Sequence, residues 1–390
     1  MNDMPTLPPP VWVDRPETLQ RMIEHLLGQP VLAVDTESNS LYAYREQVCL
    51  IQISVPETDY LVDTLVLSDL SELGPLLADP SVIKVFHGAE YDLSVLHRDF
   101  QFVVDNLFDT MWASRVLGWP AHGLADLLQT CFGVHLDKKY QRANWGMRPL
   151  PPEQLNYARL DTHYLLPLYE LQVQELEARK RWPQAQHCFA RVVRSRWEFR
   201  GFDPEGFWRL PGVRDLDDAG RGVLRELYLL RDRIARQEDR PAFKICSNKI
   251  LMMLSAQRPQ SLTDLKRAQG LARYLAKRYG RELIIAIRRG REQPIPWQER
   301  PRSNHEPALG PNGHPSAACQ ARFEALRAWR NATAHARGVE PDMVATNQTL
   351  WMIAHQGPRT RAELLQGGLL ADWQLDEFGD QLLAVLNGKR

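Results

Sequence analysis

The chain has 390 residues, 48 Lys+Arg against 48 Asp+Glu, 44% hydrophobic and 25% charged, a composition that excludes a disordered, collagenous or membrane-embedded protein. At roughly 100 to 200 residues per domain, the length predicts two to four domains. The balanced charge conceals an asymmetry: residues 1–170 carry net −12, residues 171–300 net +12 and residues 301–390 net zero. A cation site is therefore expected in the first block and a polyanion contact in the second, with solvated helix faces as the plainer alternative.

In chain order, the first block alternates helical patterns with apolar, β-rich runs. Residues 31–34, 48–55, 60–62 and 82–86 predict strands, and residues 17–28, 69–78, 92–98, 108–117, 122–132 and 152–179 predict helices. An α/β layer architecture follows for residues 1 to about 200. Beyond residue 215 no strand pattern remains; 217–238, 247–257, 261–268, 270–278 and 280–289 predict helices, hence an all-α module. Residues 293–316, with six prolines, read as a linker. The helical module then recurs at an offset of 99: Arg231, Ala235, Asn248, Leu251, Met253, Gln257, Pro259 and Leu265 match Arg330, Ala334, Asn347, Leu350, Met352, Gln356, Pro358 and Leu364. That predicts a duplicated unit. The N-terminus lacks a basic region followed by an apolar run, and no apolar stretch reaches the ~20 residues that span a bilayer, so a cytoplasmic chain without membrane contact is expected. Cys49, Cys131, Cys188, Cys246 and Cys319 lie far apart and suggest neither a disulfide framework nor a zinc thiolate site.

Asp35 and Glu37 end the strand VLAVDTES two residues apart, so both project from one face. Paired carboxylates repel, and hard divalent cations relieve that repulsion. Asp92 stands near a helix start after a Gly-containing turn, a position that suits an acidic residue on dipole grounds alone. Tyr157 and Asp161 lie four apart, stacked on one helix face, where a buried aspartate needs a partner or a metal. His87, His97 and His163 lie near these motifs, but without His-x-x-x-His or Cys spacing they read as polar core or surface residues rather than zinc ligands.

This order, Asp-x-Glu on a strand, Asp at a helix start, then Tyr-x-x-x-Asp on a later helix, resembles the DEDDy branch of the DEDD 3′-to-5′ exonucleases. The segment NWGMRPLPPEQLNYARLDTHYLL (144–166) is similar to ribonuclease D, and LRDRIARQEDRPAFKICSNKILMMLSAQRPQSLTDL (230–265) is similar to an HRDC domain, of which residues 317–390 resemble a second, more diverged copy. The resemblance implies an RNase H-like mixed sheet in an exonuclease domain at 1–205, HRDC-like helical domains at 206–292 and 317–390, and a linker at 293–316. It implies four carboxylates converging at the edge of the sheet on two divalent ions, Mg²⁺ or Mn²⁺. In this reading Asp35 bridges both ions, Glu37 and Asp161 complete one site, and Asp92 holds the other. Tyr157 positions the attacking water and assists its deprotonation. The implied substrate is RNA with a free 3′ end, such as a tRNA precursor, cut to 5′-mononucleotides without an obligatory protein partner. Arg231, Arg233 and Lys244 are candidate nucleic-acid contacts. Trp145 and Arg148 could stack on a base or grip a phosphate, and Trp145 could equally be a core anchor. A repair-type DNA exonuclease and a non-catalytic RNA-binding scaffold are the alternatives. The absence of a Gly-rich phosphate loop weighs against the first and the intact carboxylates against the second.

Overall fold

A computed structural model describes residues 7–195, 201–268, 270–297, 316–366 and 368–388. Six strands form one mixed sheet: β1 (Val11–Val13), β2 (Val31–Ser38), β3 (Val48–Val55), β4 (Thr58–Val62), β5 (Ile83–Phe86) and β6 (Leu107–Asp109), in the order β1-β4-β3-β2-β5-β6. The β2–β3–β4 run is antiparallel, and β1, β5 and β6 join it in parallel. The two three-residue strands at the sheet's edges are the ones the sequence patterns did not announce, being too short to show a period. Every residue of β3 is buried, as expected of an interior strand covered on both faces.

The helices of this first domain are α1 (Pro16–Leu26), α2 (Leu73–Ala78), α3 (Glu90–Phe100), α4 (Thr110–Leu117), α5 (Leu124–Phe132), α6 (Pro152–His163), α7 (Leu165–Ala178) and α8 (Trp182–Arg194). The single helix expected over 152–179 divides at Tyr164, which caps both halves. α6 packs across β2, β3 and β4, with Thr162 bonded to Ser54 at 2.7 Å. α3 reaches the opposite face of β2, where Thr36 donates to Asp92, because residues 35 and 36 point to opposite sides of a strand.

Helices α9 (Asp218–Glu238), α10 (Ala242–Ile245), α11 (Asn248–Gln257), α12 (Leu262–Arg267) and α13 (Arg273–Glu292) form one core. Helices α14 (Ala317–Arg337), α15 (Pro341–Val344), α16 (Asn347–Gln356), α17 (Arg361–Gln366) and α18 (Asp372–Leu386) form another. The starts of the five helices in each unit differ by 99 residues, so the repeat read in the sequence is a repeat in space. The separate helices expected at 270–278 and 280–289 are instead the single α13. Gly280 does not break it, because Leu275, Tyr279, Leu283 and Ile287 continue one buried stripe through that position. α9 and α13 cross at Gly222 and Gly290, where a Cβ on Gly290 would fall 2.4 Å from the Val223 Cα. Of the expected linker, residues 298–315 lie outside the described residues.

Candidate active site

β2 is an interior strand, so its carboxylates stand at the carboxyl end of the middle of the sheet rather than at an edge. Asp35 pairs across to Gln52 on β3, and a register shift after Glu37 ends the regular ladder. Asp35, Glu37, Tyr157 and Asp161 line one cavity of about 380 Å³ together with Thr36, His87, Lys138 and Gln141. Asp92 is 6% exposed and does not line this cavity; it lies behind Thr36. The turn before α3 is fixed by Asp109, whose carboxylate accepts from the backbone N–H groups of Gly88, Ala89, Met111 and Trp112. Enclosure pushes the Asp109 carboxyl up to about 6.

The four carboxylates are electrostatically one group. Enclosure raises the pKa of Asp35 and then Asp161 raises it further. Enclosure raises Glu37, followed by Asp35, Asp161 and Asp92. Asp92 is raised by enclosure and by Asp35, and Asp161 by enclosure and by Asp92 while a hydrogen bond from Tyr157 opposes it. Acidic side chains from β2, α3 and α6 thus act on one another's charge, Asp35, Glu37 and Asp161 on the cavity and Asp92 behind Thr36, and a cation is the complement that such a group favours. An all-oxygen donor set fits a hard divalent ion. Among the described residues, no three His, Cys, Asp or Glu side chains stand close enough together, as placed, to enclose an ion, so the fit rests on charge and donor chemistry. Enclosure and the neighbouring carboxylates hold the Tyr157 phenol far above its ordinary range. Without a bound cation the phenol therefore stays protonated at neutral pH.

Four of the expected nucleic-acid contacts are engaged elsewhere. Trp145 is 1% exposed and packs 6.3 Å, ring to ring, from Tyr157; it is a core anchor, with no face free for a base. Arg148 grips Asp63 through Nε and Nη2, both at 2.7 Å, and three backbone carbonyls besides. Arg231 is buried, donating to the Cys246 carbonyl and to Asn248 Oδ1 at 2.7 Å. Arg330 and Asn347 repeat that bond at 2.7 Å, so the Arg and Asn matched in the repeat are a structural pair joining α9 to the start of α11. Lys244 is exposed, but its ammonium sits 4.0 Å from the Tyr42 ring centroid. Arg233 remains an exposed cation. His163 bonds Asp59 at 3.0 Å. His87 bonds Thr110 at 2.9 Å, and burial pushes its pKa down to about 4, which keeps it neutral.

Sequence reasoning passed over His87 as a cavity residue and missed Lys138 and Gln141. Their only signal was a DKKYQ stretch with no pattern of its own. It also missed the stripe on α13 where Tyr274, Lys277, Arg281, Ile285 and Arg288 are all exposed. The helix carries seven basic residues against two glutamates.

A family model described as 3′-5′ exonuclease matches residues 10–177, and an HRDC domain model matches residues 221–287 and 320–386. The chain is 31% identical to ribonuclease D of Gluconacetobacter diazotrophicus over 385 residues, 98% of this chain and 94% of that protein. It is 37% identical over 265 residues to the exosome complex exonuclease RRP6 of Saccharomyces cerevisiae, covering 64% of this chain but only 36% of that longer protein. The crystal structure of Escherichia coli RNase D, an exoribonuclease involved in structured RNA processing, superposes with a TM-score of 0.68 at 25% identity, over 97% of this chain and 99% of that one.

Proposed function

The chain belongs to the ribonuclease D family of 3′-to-5′ exoribonucleases, and from that premise we propose that it trims structured RNA precursors, tRNA 3′ ends among them, by two-metal-ion hydrolysis to 5′-mononucleotides. The exonuclease domain is assigned to 1–205, the HRDC-like domains to 206–292 and 317–390, and the linker to 293–316. The observation that supports the reading is that Asp35, Glu37, Asp161 and Tyr157 line one cavity, with Asp92 held just behind it on Thr36. These four carboxylates would hold two Mg²⁺ or Mn²⁺ ions, which when bound supply Lewis-acid stabilisation to the attacking and leaving oxygens.

The chain's own side chains have separate tasks. Tyr157, one helical turn before Asp161, lines the cavity beside that carboxylate and would position the attacking water. Lys138, on the cavity wall, offers a cation to a phosphate. The exposed basic stripe of α13 draws in the rest of the strand through its phosphates, without reading sequence.

Digesting 3′-extended tRNA and a matched single-stranded DNA with Mg²⁺ or Mn²⁺, against an EDTA control, tests polymer and metal together. Mononucleotides released from the RNA 3′ end are expected, EDTA stops the release, and Asp35→Asn abolishes it while RNA binding survives. Internal cleavage, faster loss of the DNA or full activity in EDTA would each reject the proposal.

A further inference from the structure

A second cavity, of about 340 Å³, opens beside the one that holds the carboxylates, and Leu136 and Tyr157 line both. The 3₁₀ turn Lys138–Arg142 is the ridge between them. Residues three apart share a side of such a turn, and here Lys138 and Gln141 line the first cavity while Asp137 and Tyr140 line the second. Leu136, Tyr140, Pro152 and Leu160 give the second cavity apolar walls, with the Tyr140 and Tyr157 rings 5.6 Å apart. Its polar lining is His135, Asp137, Glu153 and Asn156. Asp137 is spent on the ridge itself, accepting from Lys139 N at 3.1 Å and pairing with the Lys139 ammonium at 2.6 Å. Glu153 and Asn156 stand with Tyr157 and Leu160 on one stripe of α6. Both are exposed, and among the described residues neither side chain has a hydrogen-bond or ion-pair partner.

Apolar walls with a few polar groups suit a planar ring that carries a hydrogen-bonding edge. A strand held at its scissile phosphate in the first cavity has the nucleotide to be released on one side of that phosphate and its neighbour on the other. The second cavity lies one side chain away, across Tyr157 and the ridge. We infer that it seats the base of the penultimate nucleotide, and that Glu153 and Asn156 read the edge of that base. This deepens the exonuclease reading and rests on it. An ionised carboxylate only accepts hydrogen bonds, whereas an amide also donates them, and a neutral histidine does either and so selects little. The Glu153 and Asn156 pair therefore matches an exocyclic amino group beside a ring nitrogen acceptor, the edge of cytosine or adenine. Uracil brings a carbonyl oxygen where the amino group would be and sets two acceptors against each other. The cavity thus selects an amino-bearing base at the penultimate position.

Glu153 is exposed, so its replacement costs the fold little. The test is steady-state digestion, with Mg²⁺, of short RNAs that differ only in carrying cytosine or uracil at the penultimate position, read as kcat/KM for the first nucleotide released. The unaltered chain is expected to favour cytosine about tenfold. Glu153→Gln, whose amide can donate to the uracil carbonyl, is expected to bring that ratio below about twofold by slowing the cytosine RNA and speeding the uracil one. The same exchange at the fifth base from the 3′ end should move either protein by less than about twofold. No preference in the unaltered chain, a preference that Glu153→Gln leaves intact, or one read at the terminal base instead overturns the inference. If mononucleotides still leave the RNA 3′ end in such a case, this inference alone is lost. If the unaltered chain leaves 3′ ends intact, the exonuclease reading falls and takes this with it.

Discussion

Asp35, Glu37, Asp92 and Asp161 each hold their protons more tightly than free carboxylates, first through enclosure and then through one another. In the unfolded chain the same groups ionise near pH 4. Between that pH and their higher folded values the folded state binds more protons, so the stability of the metal-free protein falls as pH rises. Asp35→Asn removes one repelling charge. The metal-free variant is therefore expected to melt about 2–4 °C above the unaltered chain at pH 7, with the gain shrinking towards pH 4, even as turnover is lost. Thermal melts in EDTA across that range check this, and a variant that melts lower at pH 7 contradicts it. The same scale explains two misplaced expectations. Trp145 and Arg148 precede the site in sequence, but one is buried beside Tyr157 and the other is spent on Asp63. A tryptophan or arginine near a motif does not reveal which way it points.

Elements decide which cations are free. On α9, Arg231 faces inward to Asn248, whereas on α13 the positions 277, 281 and 288 share one stripe opposite the buried Leu275, Tyr279, Leu283 and Ile287. Arg278 and Arg289, beside that stripe, are drawn to Glu238 and Glu226 at 3.3 and 3.5 Å. Two substitutions should therefore separate cleanly. Changing Lys277, Arg281 and Arg288 together to Ala is expected to weaken RNA binding and reduce the slope of log K against log salt by about 2, with melting unchanged. Arg231→Ala should leave that slope alone and cost about 1–3 kcal/mol of stability, because it strips a buried carbonyl and an amide oxygen of their donor. Salt-dependent binding titrations with parallel melts distinguish the two, and the reverse pattern would return the nucleic-acid contact to Arg231.

At the scale of the molecule, the two helical units dock on the first domain through equivalent segments with different chemistry. In the first unit, Asp232 accepts from the Tyr44 hydroxyl at 2.7 Å and Lys244 covers Tyr42. In the second, the position equivalent to Lys244 is Met343, 4% exposed and part of the exonuclease domain's own core. Its carbonyl accepts from Gln184 at 2.9 Å, while Arg115 bridges Glu340 and Asp342. The units approach so closely that a Cβ on Gly118 would lie 2.0 Å from the Gly338 carbonyl. Met343→Lys places an unpaired charge in that core and is expected to cost about 2–4 kcal/mol and to release the second unit to limited proteolysis. Lys244→Met should change stability by less than about 0.5 kcal/mol. Equal melting of the two variants would show that the second unit is not docked through Met343.

The sequence by itself determined the α/β first domain, its four interior strands and the duplicated helical unit, and it singled out the four carboxylates and the tyrosine proposed as the site. Each of these is written in local periodicity, in a fixed offset or in a motif whose spacing survives folding. Tertiary structure alone decided that α13 is one helix, that Arg231 is structural, that Asp92 sits behind Thr36, and that Lys138 and Gln141 face the carboxylates. Those facts depend on which surfaces meet beyond the local stretch of chain, 17 residues apart for Arg231 and Asn248 and 56 for Thr36 and Asp92, and burial, not residue type, then decides whether an arginine is a ligand or a brace.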